Sequence, residues 1–295
     1  MKSTITNGKI TFVSDNFNVE PWVLRFNDDD VNYFWRPEAL EKLGAAICFP
    51  MLGAVPDNKY FLDGKEYTMG MHGFAKDSTY EIVEKSQNSI TYEISDNETT
   101  HAQYPYKFRF RVIYTVEGTT LRTEYRIKNL DDKEMYFSVG GHPRFACPIG
   151  GFDTGLGFAD YYLELDKPES TANIVKHYEP LEVIEKFFSA DGKKLQLDYS
   201  ELAKGCITFN PINSDNITLK SEKSTRSTKI HLGDASHFQI WAAVGGDYIC
   251  LEPWYGSITS LPAKEIESQW KERPGTLHIA PGEEMVCAYN ITISK

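Results

Sequence analysis

A two-residue alternation of apolar and polar positions dominates the chain, the mark of half-buried β-strands. Phe108, Phe110, Val112 and Tyr114 share one face of a segment reaching Val116. Leu121, Thr123, Tyr125 and Ile127 repeat the pattern as far as Lys128. Glu117-Gly118-Thr119 between them reads as a hairpin turn. Thr91–Ser95 before this pair and Met135–Val139 after it extend the series into an antiparallel meander. The same grammar returns in Ile217–Lys220, Thr228–Leu232, Phe238–Val244, Tyr248–Glu252, Leu277–Ile279 and Met285–Ser294. Helical periodicity is sparse. Short helices are expected at Pro37–Lys42, Pro180–Phe188, Ser200–Ala203 and Pro262–Trp270, and a Gly/Pro-rich loop at Pro148–Gly157.

No fixed-period repeat, low-complexity tract or Pro/Gly/Ser-rich linker divides the sequence. The expectation is one all-β domain over residues 1–295, a large antiparallel sandwich of two or more sheets with a few short helices. Its 295 residues, 41% hydrophobic, suffice for a sizeable core. A net charge of −11 speaks against a nucleic-acid partner, whose phosphates demand Lys and Arg, and against an anionic membrane surface. No apolar run approaches the ~18 residues of a membrane span, and Met1-Lys2-Ser3-Thr4-Ile5 does not open a signal peptide. Five widely spaced cysteines without CxxC spacing read as buried thiols in a reducing, cytoplasmic setting. Oligomeric state is not legible.

Three segments combine a polar side chain with residues that fix the backbone. In Gly140-Gly141-His142-Pro143 an imidazole ends an apolar strand at a rigid turn. Such a group exchanges protons near neutral pH, although a histidine that merely caps a turn has the same signature. Met71-His72-Gly73-Phe74 offers a second imidazole, which alone reads as a loop residue. In Leu251-Glu252-Pro253-Trp254 a carboxylate closes an apolar run, and Pro253 is expected to end the ladder there and release it toward a cleft. A surface ion pair is the plain alternative. Trp254, Trp241, Tyr255 and Phe74 are candidate surfaces for the apolar face of a ring, though each such residue is more often packing. Arg109, Arg111 and Lys107 alternate with apolar neighbours and read as a solvated face. GxGxxG, P-loop, HExxH, GxSxG and zinc-spaced cysteines are all missing, so no cofactor or metal is expected.

Taken in order, several segments resemble the aldose 1-epimerase (galactose mutarotase-like) family, in particular its LacX-type branch. They are Phe49-Pro50-Met51-Leu52-Gly53, Asp57-Asn58-Lys59-Tyr60, His72-Gly73-Phe74, Tyr104-Pro105-Tyr106, Phe137 to Pro143, Ile249 to Gly256 and Ala280-Pro281-Gly282-Glu283. The resemblance implies a supersandwich fold and opening of a cyclic sugar hemiacetal to interconvert its α and β anomers. It implies Glu252 as general base, His142 as general acid and His72 as a sugar-binding assistant. The family's arginine after Phe-Pro-x-x-Gly is Ala54 here, and Asp57, Asn58, Lys59 and Arg36 are candidates to stand in for it. The family's sugar-binding aspartate has no evident counterpart. A glycoside hydrolase, which needs a second carboxylate, and a non-catalytic sugar-binding module are the competing readings.

Overall fold

A computed structural model describes residues 1–36, 46–169, 172–176, 179–184, 189–256, 269–273 and 275–295. Within them, every strand ladder is antiparallel. A nine-stranded sheet runs in the order Lys194–Gln196, Tyr162–Leu165, Asn216–Lys220, Ser227–His231, Glu284–Ser294, Thr120–Asn129, Phe108–Glu117, Ser89–Ser95 and Glu81–Lys85. An eight-stranded sheet runs Glu179–Ile184, Ala172–Lys176, Cys206–Phe209, His237–Trp241, Tyr248–Tyr255, Val139–Gly141 and Ile47–Cys48, with Arg144–Ala146 also paired to Tyr248–Tyr255. A three-stranded sheet (Lys2–Thr6, Ile10–Asp15, Pro21–Phe26) and two two-stranded ribbons complete the described set.

The alternation predicts the faces correctly. Phe108, Phe110, Val112, Tyr114, Leu121, Thr123, Tyr125 and Ile127 are all buried. Arg109 and Arg111 lie on the opposite face and pair with Glu93, Arg109 also with Glu284. Phe49 sits at the centre of an aromatic cluster with Phe74, Tyr104, Phe108, Phe110 and Phe137. One connected group of buried apolar residues extends from Ile5 to Ile293.

Several expectations need correction. The segment expected as one strand from Met135 to Val139 is two. Met135–Phe137 pairs with Leu277–Ile279, and Val139–Gly141 pairs with Tyr248–Tyr255. Ser138 is the crossing point: its N–H donates to the Pro50 carbonyl at 2.7 Å and its hydroxyl oxygen accepts from Leu52 N–H at 2.9 Å. The stretch expected to be helical from Pro180 instead forms the strand Glu179–Ile184, an edge partner for Ala172–Lys176. Pro253 does not end its ladder, because the strand runs on to Tyr255 with Pro253 opposite Phe238. The expected helical turn at Ser200 is present as Tyr199–Leu202. The helix Glu98–Gln103 was not foreseen; the Asn97 side chain caps it by accepting Thr100 N–H at 3.0 Å. The turns expected at 37–42 and 262–268 lie outside the described residues. No helix among the described residues is long and apolar enough to cross a membrane.

Candidate active site

The site is built on Tyr248–Tyr255, a strand buried at every position and therefore covered on both faces. On one side its partner chain is Val139–Ala146. Gly140 stands opposite Trp254 and Arg144 opposite Cys250. Both pairs belong to one continuous register, in which position 142 faces position 252. Ladder pairing lapses between them because Pro143 and Pro253 have no N–H to give. On the other side Gln239 is the register partner of Glu252, Thr208 of Gln239 and Asn173 of Thr208. Register partners share a face. A polar row thus crosses the sheet from Asn173 through Thr208, Gln239 and Glu252 to His142.

His142 and Glu252 meet. His142 Nε2 lies 3.3 Å from Glu252 Oε1, close but not aligned as a hydrogen bond. Glu252 is completely buried, and neither of its oxygens has a hydrogen-bond partner among the described residues. Burial pushes its pKa well above the usual carboxylate range, opposed by the positive charge of Arg144. Burial likewise drives the His142 imidazole well below its ordinary pKa, and His72 and Arg144 add to the effect. His142 Nδ1 also lacks a hydrogen-bond partner among the described residues.

His72 joins them with its ring centroid 5.5 Å from that of His142. It occupies a left-handed backbone position, φ 64°, just before Gly73 at φ 72°. A Cβ at Gly73 would fall 2.2 Å from the Phe49 carbonyl oxygen, so only glycine lets this loop close on the Phe49-Pro50 segment. His72 N–H donates to the Gly53 carbonyl at 2.6 Å, and Gly53 N–H donates back to His72 Nδ1 at 3.1 Å. With Nδ1 accepting, the neutral ring carries its proton on Nε2. Burial, aided by Lys76 and Arg273, lowers the His72 pKa to about 4, so this donor is neutral at pH 7.

The candidate binding residues are more scattered. Trp254 is fully buried. Its ring packs on Gly140 and Leu52 and lies 6.0 Å from His72, and its Nε1–H donates to the Gly141 carbonyl at 3.2 Å. It props His72 and offers no open face. Phe74 belongs to the aromatic core, and Tyr255 is buried with its hydroxyl donating to the Leu232 carbonyl. Trp241, opposite Cys250, is part-exposed and packs near Tyr248. Asn58 is exposed on the Pro56–Asn58 turn, bonded through its backbone to Val55 and Met69. Lys59 pairs with Glu66 on the surface, and Arg36 with Glu20 at 3.3 Å.

Sequence reading missed four contributors. Gln239 and Thr208 are buried polar residues inside apolar strands, a signal present in Phe238-Gln239-Ile240-Trp241. Thr208 Oγ1 donates to Gln239 Oε1 at 3.4 Å. Arg144 lines a small hollow with Glu20, Trp35 and His142. Arg273, remote in sequence, donates through Nη2 to the carbonyls of Leu52, at 3.0 Å, and Ala54, at 3.4 Å. A buried cation thus reaches the segment where Ala54 replaces the expected arginine.

The sequence model for aldose 1-epimerase matches residues 17–292. The chain belongs to the aldose 1-epimerase family. It is 30% identical over 280 residues to protein LacX (plasmid) of Lactococcus lactis subsp. lactis, covering 90% of each chain. The family fold is equally plain. A galactose mutarotase related enzyme from Lactobacillus acidophilus superposes with a TM-score of 0.90 at 24% identity, covering 100% of this chain and 98% of the other. A galactose mutarotase-like protein from Lactobacillus casei gives 0.87 at 24% identity with both chains fully covered. In this aldose 1-epimerase family member, then, three polar side chains remote in sequence converge, with His72 bonded to Gly53.

Proposed function

We propose that this chain, as a single domain over residues 1–295, is an aldose 1-epimerase that interconverts the α and β anomers of an aldohexose. The observation that carries the reading is a buried carboxylate without a hydrogen bond among the described residues, Glu252, 3.3 Å from the imidazole of His142. Ring opening needs one proton removed from the anomeric hydroxyl and one delivered to the ring oxygen of the same molecule. The pair carries one mobile proton, which rests on Glu252 and begins this step on His142; Glu252, then a carboxylate, takes the first, the His142 imidazolium gives the second and returns to neutral, and the bond between C1 and the ring oxygen breaks. Rotation about C1–C2 presents the other carbonyl face. Reclosure then runs the transfers in reverse. The Nε2–H of neutral His72 donates to a sugar oxygen and holds the ring in place. Gln239 and Thr208 supply further polar contacts along the row, and part-exposed Trp241 offers an apolar face.

Burial suits a base of this kind, because a carboxylate deprived of water and donors holds its proton tightly. The five unpaired thiols accord with a cytoplasmic setting. A hydrolase would require a second carboxylate flanking the bond. Glu20, which borders the hollow beside His142, is engaged by Arg36 in a buried ion pair.

The test is anomer exchange of aldohexoses, followed by NMR. The protein accelerates it, and Glu252→Gln slows it by about 10²–10⁴-fold, the usual contribution of a positioned acid or base. Exchange at the buffer rate while calorimetry still registers sugar binding would replace the enzyme with a binding module. Release of reducing ends from oligosaccharides would favour the hydrolase.

A further inference from the structure

We propose that His142, Cys250 and Glu252 form a binding site for a thiophilic divalent cation of the zinc type, and that the bound cation blocks sugar turnover. One donor atom from each residue can be chosen so that all three lie within 4.8 Å of one another. Cys250 and Glu252 are two apart on one strand and so share a face, and the register of Val139–Ala146 brings His142 to the same place. All three are buried. Among the described residues, both Glu252 oxygens and His142 Nδ1 have no hydrogen-bond partner, so their lone pairs and protons are uncommitted.

The donor set selects the cation. Sulfur and imidazole nitrogen favour zinc and its soft neighbours, whereas magnesium and calcium require an oxygen cage. Tetrahedral zinc with bonds of about 2.0–2.3 Å sets its ligand atoms roughly 3.3–3.8 Å apart. The triad therefore needs to contract by about 1 Å, which side-chain rotation supplies. Thiolate and carboxylate together balance the 2+ charge, and the thiol proton and the proton held by Glu252 pass to solvent on binding. Three protein ligands leave a fourth position for water. A cation held there would occupy the lone pairs of Glu252 and His142. The cation site rests on donor geometry alone; only the block on turnover rests on the proposed epimerase reading.

Cobalt(II) titrated into the whole protein is the probe. Wild-type protein should give a tetrahedral cobalt spectrum with a near-ultraviolet thiolate-to-cobalt charge-transfer band, which zinc abolishes and magnesium leaves unchanged. Cys250→Ser should remove the band and weaken zinc by more than the roughly 10–100-fold that loss of an outer-shell partner costs. Cys206→Ser should retain both. Zinc should slow anomer exchange by the wild type and not by Cys250→Ser. Wild-type protein without the band overturns the site, and so does a band that survives Cys250→Ser. The first of these needs no variant, so a misfolded mutant cannot obscure it. A band with unimpeded exchange overturns the block and leaves the site standing. Should the protein lack exchange altogether, the epimerase reading fails and the spectrum still decides the site.

Discussion

Replacing Glu252 with Gln should make the protein slower and more stable, and the gain in stability should depend on pH in a defined way. Glu252 is fully buried without a hydrogen bond among the described residues, and burial raises its pKa well above that of an unfolded carboxyl. Above the unfolded pKa of about 4.3, the unfolded chain gives up this proton while the folded chain keeps it. The folded state then binds more protons, so stability falls as pH rises. The loss begins near the unfolded pKa and ends at the folded one, at about 1.4 kcal/mol per pH unit. The amide of the Glu252→Gln variant has no such proton to lose. The stability difference, variant minus wild type, should therefore climb by about 1.4 kcal/mol per unit and then level off. Titrating groups remote from Glu252 cancel in that difference. Urea denaturation of both proteins in half-unit steps from about pH 4.5 to about pH 8 measures it. The levelling point reports the same ionisation as the acid limb of kcat/KM, which belongs to the free enzyme. Coincidence of the two identifies Glu252 as the base. A pH-independent difference would mean that Glu252 titrates as in water, and the argument from burial would be wrong.

Arg144→Gln should move the acid limb of kcat/KM to higher pH, because the guanidinium opposes the rise in the Glu252 pKa. A limb that stays put or moves down in a pH–rate profile would show that the charge is not felt. Gly140→Ala should cost about 1–3 kcal/mol, since the new Cβ would stand 2.3 Å from Trp254 Cδ1 at a position with no left-handed backbone demand. In a Trp254→Ala background the same change should cost less, the closest contact left being Leu52 Cδ2 at 3.0 Å, and equal costs in both backgrounds by denaturation would exclude a clash with Trp254. Gln239→Ala should raise KM for the sugar about tenfold, equivalent to about 1.4 kcal/mol, with a smaller change in kcat. An unchanged KM in steady-state exchange measurements would remove Gln239 from the binding row.

The sequence carried the strands well wherever one face meets solvent. Phe108–Glu117 and Thr120–Asn129 alternate cleanly because their polar positions are wet. It carried Tyr248–Tyr255 less well. That strand is covered on both faces, so alternation vanishes and proline looked like its end. The two-sheet path through Ser138 was illegible because the hydrogen bonds that divide it come from Pro50 and Leu52, far away in the chain. His142, Glu252 and His72 stood out because glycine and proline flank them. Gln239 and Thr208 did not, because a lone polar residue in an apolar run has no flanking mark. Arg273 could not have been connected to Ala54 at all, since backbone carbonyls hold it and carbonyls have no residue signature.

Pro143 and Pro253 illustrate how the backbone sets the chemistry. In an antiparallel ladder the N–H groups lie in the plane of the sheet and bond opposing carbonyls, as the His142 N–H bonds Ala46, while the side chains of positions 142 and 252 stand off the face. A carboxylate that accepts two or three such donors is a weak base, with its pKa driven far down. Pro143 and Pro253 interrupt the ladder beside the pair, while the register on either side, Gly140 with Trp254 and Arg144 with Cys250, keeps the two side chains opposed. The sheet therefore provides position without solvation. Glu252 is shut off from solvent and accepts no N–H among the described residues, and His142 Nε2 lies 3.3 Å from its Oε1. Rigid placement and high basicity normally oppose each other, because the hydrogen bonds that fix a carboxylate also weaken it as a base; here strand register fixes Glu252, and no donor among the described residues reaches its oxygens.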